Sequence, residues 1–217
     1  MSAAASRMPA VVLGLALSCA LTGDVSAQST SPPMALPEGV FAAERDIRLA
    51  TAGSYALDGQ HASILARVSH LGYSWSVFRF DRVQGSLAWD PAAITQSKLS
   101  VAVETGSVTT NVPGFAADIA GDKFLKAGAF PQATFVSTAF RPDDATHGKV
   151  DGQFTLMGRT RPLTFDVALV GAGKGFMGRP RLGVQARARI NPQEFGLPPL
   201  MTEPIELVLD VEFERAP

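Results

Sequence analysis

The stretch KVDGQFTLMGRTRPLTFDVALV, residues 149–170, decides the fold. Apolar residues alternate at Val150, Phe154 and Leu156, then again at Leu163, Phe165, Val167 and Leu169. Between them lies a break at Met157-Gly158-Arg159-Thr160. Period two on both sides of a glycine-containing break predicts an antiparallel hairpin with one face buried. Gly158 takes positive φ without steric cost, and Pro162 reads as the start of the second strand, where a missing N–H is tolerated. The inward face of this hairpin is hydrocarbon and carries no reactive group.

The same alternation recurs outward from the hairpin. Upstream it runs through Ile64-Ala66-Val68, Val83-Gly85-Leu87-Trp89 and Leu99-Val101-Val103, with Tyr55–Asp58 a shorter strand. Ala133–Phe140 is β-branched and aromatic, but its parity is unclear. Downstream come Leu182-Val184-Ala186-Ala188-Ile190 and Ile205-Leu207-Leu209-Val211-Phe213. Eight or nine antiparallel strands, each with one apolar face, make a sheet that usually curls, and closure removes its exposed edges. The expectation is an all-β chain: an eight-stranded antiparallel β-barrel with a short helical insertion, with a two-sheet sandwich as the alternative. The insertion is Pro113–Phe130. Phe115, Ile119, Phe124 and Leu125 fall there at helical spacings, Gly121 divides it, and Asp122 can cap a second helix. Such a segment belongs over an open end of the barrel.

The 217 residues carry a net charge of −1 and are 46% hydrophobic. Residues 1–27 read as an export signal: Arg7, an apolar run from Ala10 to Leu21 too short to span a bilayer, then small residues at Val25-Ser26-Ala27. Cleavage after Ala27 predicts a periplasmic protein and removes Cys19, the one cysteine, so no disulfide or thiolate metal site is expected. Residues 28–53 form a leader, Ser/Thr/Pro-rich at first and ambiguous from Glu38, where a short helix or a strand laid on the body both fit. The barrel domain spans 54–215. The charge balance argues against a nucleic-acid partner, because phosphate binding needs a basic face.

Candidate chemistry is sparse. His61 and His70 have opposite parity and would face opposite sides of a regular strand, which makes them poor joint metal ligands. His70 continues the face of Ile64, Ala66 and Val68, where it can meet the polar end of a ligand. Asp143-Asp144-x-x-His147 reads as turn chemistry, and Gly171–Gly175 as a flexible hairpin loop without phosphate-loop spacing. Ser74 and Ser76 lack a nucleophile-elbow context. No catalytic residue, cofactor or metal is expected. Thirteen phenylalanines against two tyrosines suit an apolar site, which has little use for a phenolic hydroxyl. Small inward residues (Ala66, Gly85, Gly152, Ala186, Ala188) leave room in the lumen, unless Trp75, Trp89 and the phenylalanines fill it.

Taken together, YALDGQHASILARVSHLGYSW (55–75), GSLAWDP (85–91), VAVETGSVTTN (101–111), FPQATFVSTAF (130–140), DGQFTLMGRTRPLTFDVAL (151–169) and EFGL (194–197) resemble the YceI-like family. The resemblance implies an extended, lipocalin-like barrel whose elongated pore holds a long-chain lipid: a polyisoprenoid, an isoprenoid quinone or a similar lipophile. The expected lining is Ile64, Ala66, Val68, Leu87, Val101, Val103, Phe135, Phe154, Leu156, Phe165, Val167 and Ala186. His70 and Trp75 are added as ligand contacts, and Phe115, Ile119, Phe124 and Leu125 as a lid. One departure is that the stretch after Thr110-Asn111 is apolar (VPGFAADI) where the family often carries a charged cluster with a histidine. A homodimer, a membrane electron-transfer partner, and a lipid-modifying enzyme in place of a carrier stay open at this stage.

Overall fold

A computed structural model describes residues 42–175 and 178–217. The expected export signal and most of the leader lie outside the described residues. Within them the chain forms one antiparallel sheet that closes on itself.

Five strands are continuous: β7 (Gln132–Pro142), β8 (His147–Leu156), β9 (Arg159–Lys174), β10 (Pro180–Ile190) and β11 (Ile205–Arg215). Three more staves are each bent into two strands: β1 (Gly53–Leu57) with β2 (Ser63–His70), β3 (Ser74–Phe80) with β4 (Val83–Trp89), and β5 (Lys98–Glu104) with β6 (Val108–Thr109). Every stave pairs with its neighbour in sequence. The barrel closes where both halves of the first stave dock on β11, Leu57 opposite Phe213 and Ala66 opposite Leu207. The result is the expected eight-stave closed barrel, and a two-sheet sandwich is ruled out. Around the bend at residues 58–62, Asp58 binds Arg181 of β10 at 2.9 Å. Arg181 also binds Glu212 (2.6 Å) and Glu214 (2.6 Å) on β11, so one guanidinium ties three staves at the closure.

The deciding hairpin is tighter than the sequence suggested. Met157 (φ 50°) and Gly158 (φ 71°) both have positive φ, the signature of a two-residue type I′ turn, so Arg159 and Thr160 already belong to β9. Pro162 sits three residues into that strand, not at its start. It is tolerated because the β9–β10 register begins only at Asp166, leaving the Pro162 edge unpaired on that side. The unclear parity of β7 also has a cause. Ser137 faces Gly152 and Ala139 faces Asp151, so Thr138 is an extra residue, and the bulge turns Phe135 and Phe140 to the same buried side.

The Gly171–Gly175 reading needs correction. Gly171 to Lys174 continue β9, and the chain before the barrel lies against them, with Glu44 bridging Ala172 through two backbone hydrogen bonds (2.9 and 2.8 Å). A Cβ at Gly171 would stand 2.6 Å from the Ala43 Cβ, so this glycine permits the close approach of the two backbones. The ambiguous segment is therefore a bridge followed by a 3-10 turn at Ile47–Leu49, packed down so that Ala50 is fully buried. The Trp89 indole N–H donates to the Ala50 carbonyl at 2.9 Å and fixes the segment there. Residues 42–53, read from sequence as the end of a leader, are part of the folded body.

Candidate functional site

The barrel encloses a cavity of about 260 Å³. Its middle is hydrocarbon: Ile64, Leu87, Val101, Phe135, Phe165 and Val167 face it from successive staves, joined by Leu169, Val184, Leu209 and Phe213. The two ends differ. At the lid end the lining stops on the buried side chains Leu125, Leu156, Ile190, Leu197 and Ile205. Behind them lies a second apolar cluster built from the connections at that end. Helix α1 (Phe115–Ala120) and the segment to Phe130 supply Ile119 and Leu125, and helix α2 (Pro192–Phe195) supplies Phe195, 2% exposed. Local sequence explains α2: Asn191 accepts from the Gln193 N–H (3.1 Å) as N-cap, Pro192 takes the first turn, and Gly196 (φ 81°) ends it. Phe195 then stands edge-on to Phe154, ring centroids 5.4 Å apart.

At the mouth end the lining reaches solvent on the β7–β8 turn, through Arg141, Pro142, Asp144, Ala145 and His147. Ile47 and Ile94 flank the same end. Arg141, Asp144, His147 and Lys149 are the titratable residues of the lining, and all four sit here. Hydrogen bonds from the Thr146 backbone N–H (2.6 Å) and hydroxyl (3.0 Å), and from His147, hold the Asp144 carboxyl at about 2. Arg141 forks onto Asp151 (2.6 and 2.7 Å) and, with the Thr164 hydroxyl, holds that carboxyl at about 2. The Lys149 ammonium pairs with Asp166, which raises its pKa. Sequence reading treated Asp143–His147 as solvated turn chemistry, and its place beside the cavity went unseen. In an up-and-down barrel, connections alternate between ends, so the turn after β7 lies opposite the insertion before it.

Twelve of the residues named from sequence line the cavity: Ile64, Ala66, Leu87, Val101, Val103, Leu125, Phe135, Phe154, Leu156, Phe165, Val167 and Ala186. Six do not. Val68 is half-buried against the lid-end cluster, beyond the cavity floor. Phe115 and Ile119 sit in that cluster as well, with Phe124 edge-on to Phe115 at 6.5 Å. They form a plug that is part of the core, so the insertion closes an end of the barrel and leaves the entrance at the other. His70 is exposed at the end of β2, where the wall has ended. Trp75 is 44% exposed, with the Arg67 guanidinium 5.1 Å from its ring centroid; it shares the outward parity of Val77 and Arg79. Gly152 makes no free space, since a Cβ there would be 2.4 Å from the Phe135 ring, which fills the position. Among residues that sequence reasoning left out, Phe80, Trp89, Leu99, Leu182 and Leu207 line the cavity. For Trp89, Leu99, Leu182 and Leu207 the period-two placement on strands already recognised was the available signal, whereas Phe80 lies on β3 (Ser74–Phe80), a strand that sequence reasoning did not recognise.

A profile of the YceI-like domain family matches residues 55–213, nearly the whole barrel. The chain belongs to the YceI-like family. A UPF0312 protein of Yersinia enterocolitica is similar to this YceI-like chain, 37% identical over 172 residues, covering 77% of this chain and 89% of the relative. Among solved structures, Burkholderia cenocepacia BcnA is similar in fold, with a TM-score of 0.65 at 19% identity, covering 72% of this chain and 98% of its own. A domain from Saccharophagus degradans, described as polyisoprenoid binding and implicated in plant cell wall breakdown, superposes with a TM-score of 0.54 at 14% identity, covering 75% and 98%. The YceI-like fold expected from the sequence motifs is thus the fold of this chain. Its insertion after Asn111 plugs the barrel with Phe115, Ile119 and Leu125.

Proposed function

We propose that this protein binds one long apolar lipid, a polyisoprenoid or an isoprenoid quinone, in the barrel and carries or sequesters it in the periplasm without altering it. One observation supports this reading above the others: a closed barrel with a hydrocarbon-lined cavity, plugged at one end and open to solvent at the other. Family membership and the polyisoprenoid-binding description of a structural neighbour point the same way. The driving force is desolvation. Each buried CH₂ contributes about 0.8 kcal/mol, so ten carbons supply on the order of 8 kcal/mol before the ordering of the chain is subtracted. Selectivity then follows from the width and length of the cavity.

A carrier also accounts for the lining chemistry. Away from the mouth, the lining includes two hydroxyl-bearing residues, Thr134 and Thr105, the latter donating to the Phe130 carbonyl at 2.7 Å, among otherwise apolar side chains. The ionisable groups stand at the mouth, beyond the reach of the buried part of a chain. Mass spectrometry of an organic extract of the purified native protein tests the reading. The expected result is a co-purifying isoprenoid in near-stoichiometric amount. A protein that yields no lipid, and takes none up from a polyprenol or quinone suspension, would overturn it.

A further inference from the structure

The geometry of the mouth points to a restriction on the head group: the cavity takes a lipid whose polar end bears no negative charge, and Asp143 and Asp144 turn anionic lipids away. This rests on the reading of the cavity as a lipid site and adds the charge class of its occupant. A chain lying in the barrel must leave its polar end at the β7–β8 turn, because the other end is stopped by Leu125, Leu156 and Leu197. The cations that line this opening are already committed. Arg141 is forked onto Asp151 of β8, and Lys149 is paired with Asp166 of β9. His147 faces Asp144 through Nδ1 at 3.1 Å. On the flanking segment before β1, Arg48 is taken by Asp46 at 2.6 Å. Around the turn the carboxylates Asp143, Asp144, Asp151 and Asp166 outnumber the cations Arg141 and Lys149.

A phosphate or carboxylate head group placed here would meet surplus negative charge. It would also find no guanidinium or ammonium free among the lining residues to neutralise it. Capturing Arg141 would strip Asp151 of its forked partner. A hydroxyl or quinone carbonyl meets neither obstacle: it can hydrogen-bond to water or to the His147 ring at the exposed turn. The apolar tail contributes equally for both classes, so the head group decides between them.

The experiment compares geranylgeraniol with geranylgeranyl monophosphate, which share one hydrocarbon tail, by calorimetric titration of the delipidated full-length chain. The expected result is that the alcohol binds about ten-fold tighter or more at ~10 mM salt, and that the difference shrinks at ~500 mM salt, where surface charges are screened. The double variant Asp143→Asn, Asp144→Asn is expected to narrow the gap several-fold. Asparagine at 144 keeps the side-chain oxygen that accepts from Thr146 and His147, and a thermal melt of the variant checks that the turn persists. Equal affinities in the wild type, tighter binding of the phosphate, or a gap unmoved by both salt and the double variant would overturn the inference while leaving the lipid reading intact. Binding of neither probe would instead bring down the lipid reading, and the inference with it.

Discussion

The two ends of this barrel are built from the same staves, yet one is sealed and the other is open. At the lid end two of the connections are long, residues 110–131 and 191–204, and they return Ile119, Leu125, Phe195 and Leu197 to the barrel axis. At the mouth end the β7–β8 connection is the short turn Asp143–Thr146, too short to bring any side chain back over the lumen. What it offers is an aspartate that caps the turn and side chains that face water. The alternating strands dictate a dry interior along the whole axis. The connections decide from which side it can be reached.

The largest expected effect that tests this contrast comes from the sealed end. Phe195→Ala is expected to cost about 3–5 kcal/mol in urea denaturation, because it removes a ring that is 2% exposed and packed against Phe154. A loss below ~1 kcal/mol would mean that the plug is a loose cover and not a part of the core. Second, Ala186→Trp fills the lumen midway between the ends. It is expected to abolish lipid recovery while costing about 1–3 kcal/mol, with the strand signal in circular dichroism retained. Ala66→Trp on the facing side of β11 is expected to behave alike, and undiminished lipid in either folded variant would contradict the placement of the cavity.

Acid should separate the ends by stability. The carboxyls of Asp144 and Asp151 titrate near 2 in the folded protein, below their ordinary value of 3.8. At Asp58 burial pushes the carboxyl up, but hydrogen bonds from His61, the Gln60 N–H and Arg181 outweigh it and hold it at about 2 as well. Groups with depressed pKa contribute stability above their unfolded value and lose it as pH falls through the folded one. Between about pH 4 and pH 2, amide exchange at Thr146 and His147 is therefore expected to rise before exchange in the hydrocarbon plug. Simultaneous loss at both ends would show that the barrel melts as one unit. The smallest effect belongs to Ala145→Trp at the exposed rim. Stability should stay within about 0.5 kcal/mol of wild type, and stopped-flow uptake of a lipid should slow several-fold.

The wall was legible in the sequence because period two is a local signal. Ile64, Leu87, Val101, Phe165 and Val167 all follow from alternation alone, and they line the cavity. Trp75 shows how the same rule punishes inattention. It is one residue out of step with Ser74, Ser76 and Phe78, and it stands outside. Val68 and His70 keep the inward parity but run past the point where the barrel is closed by the plug, and no local pattern marks that height. The bulge at Thr138 was hidden because an extra residue shows only against its partner strand. The packing of residues 42–50 on Gly171 and Ala172 joins segments some 130 positions apart, and neither segment announces the other. The insertion was recognised as helical. That it plugs one end, and so assigns the entrance to the Asp143–His147 turn, required the strand order.

The chain's two tryptophans stand in opposite settings. Trp89 borders the interior space with its ring nitrogen anchored on Ala50, whereas Trp75 sits in solvent beneath Arg67. The protein thus carries its own fluorophore pair, one indole that senses whatever occupies the lumen and one that serves as an internal reference. Occupancy can be followed in the unlabelled wild type as a change in the blue-shifted share of its emission.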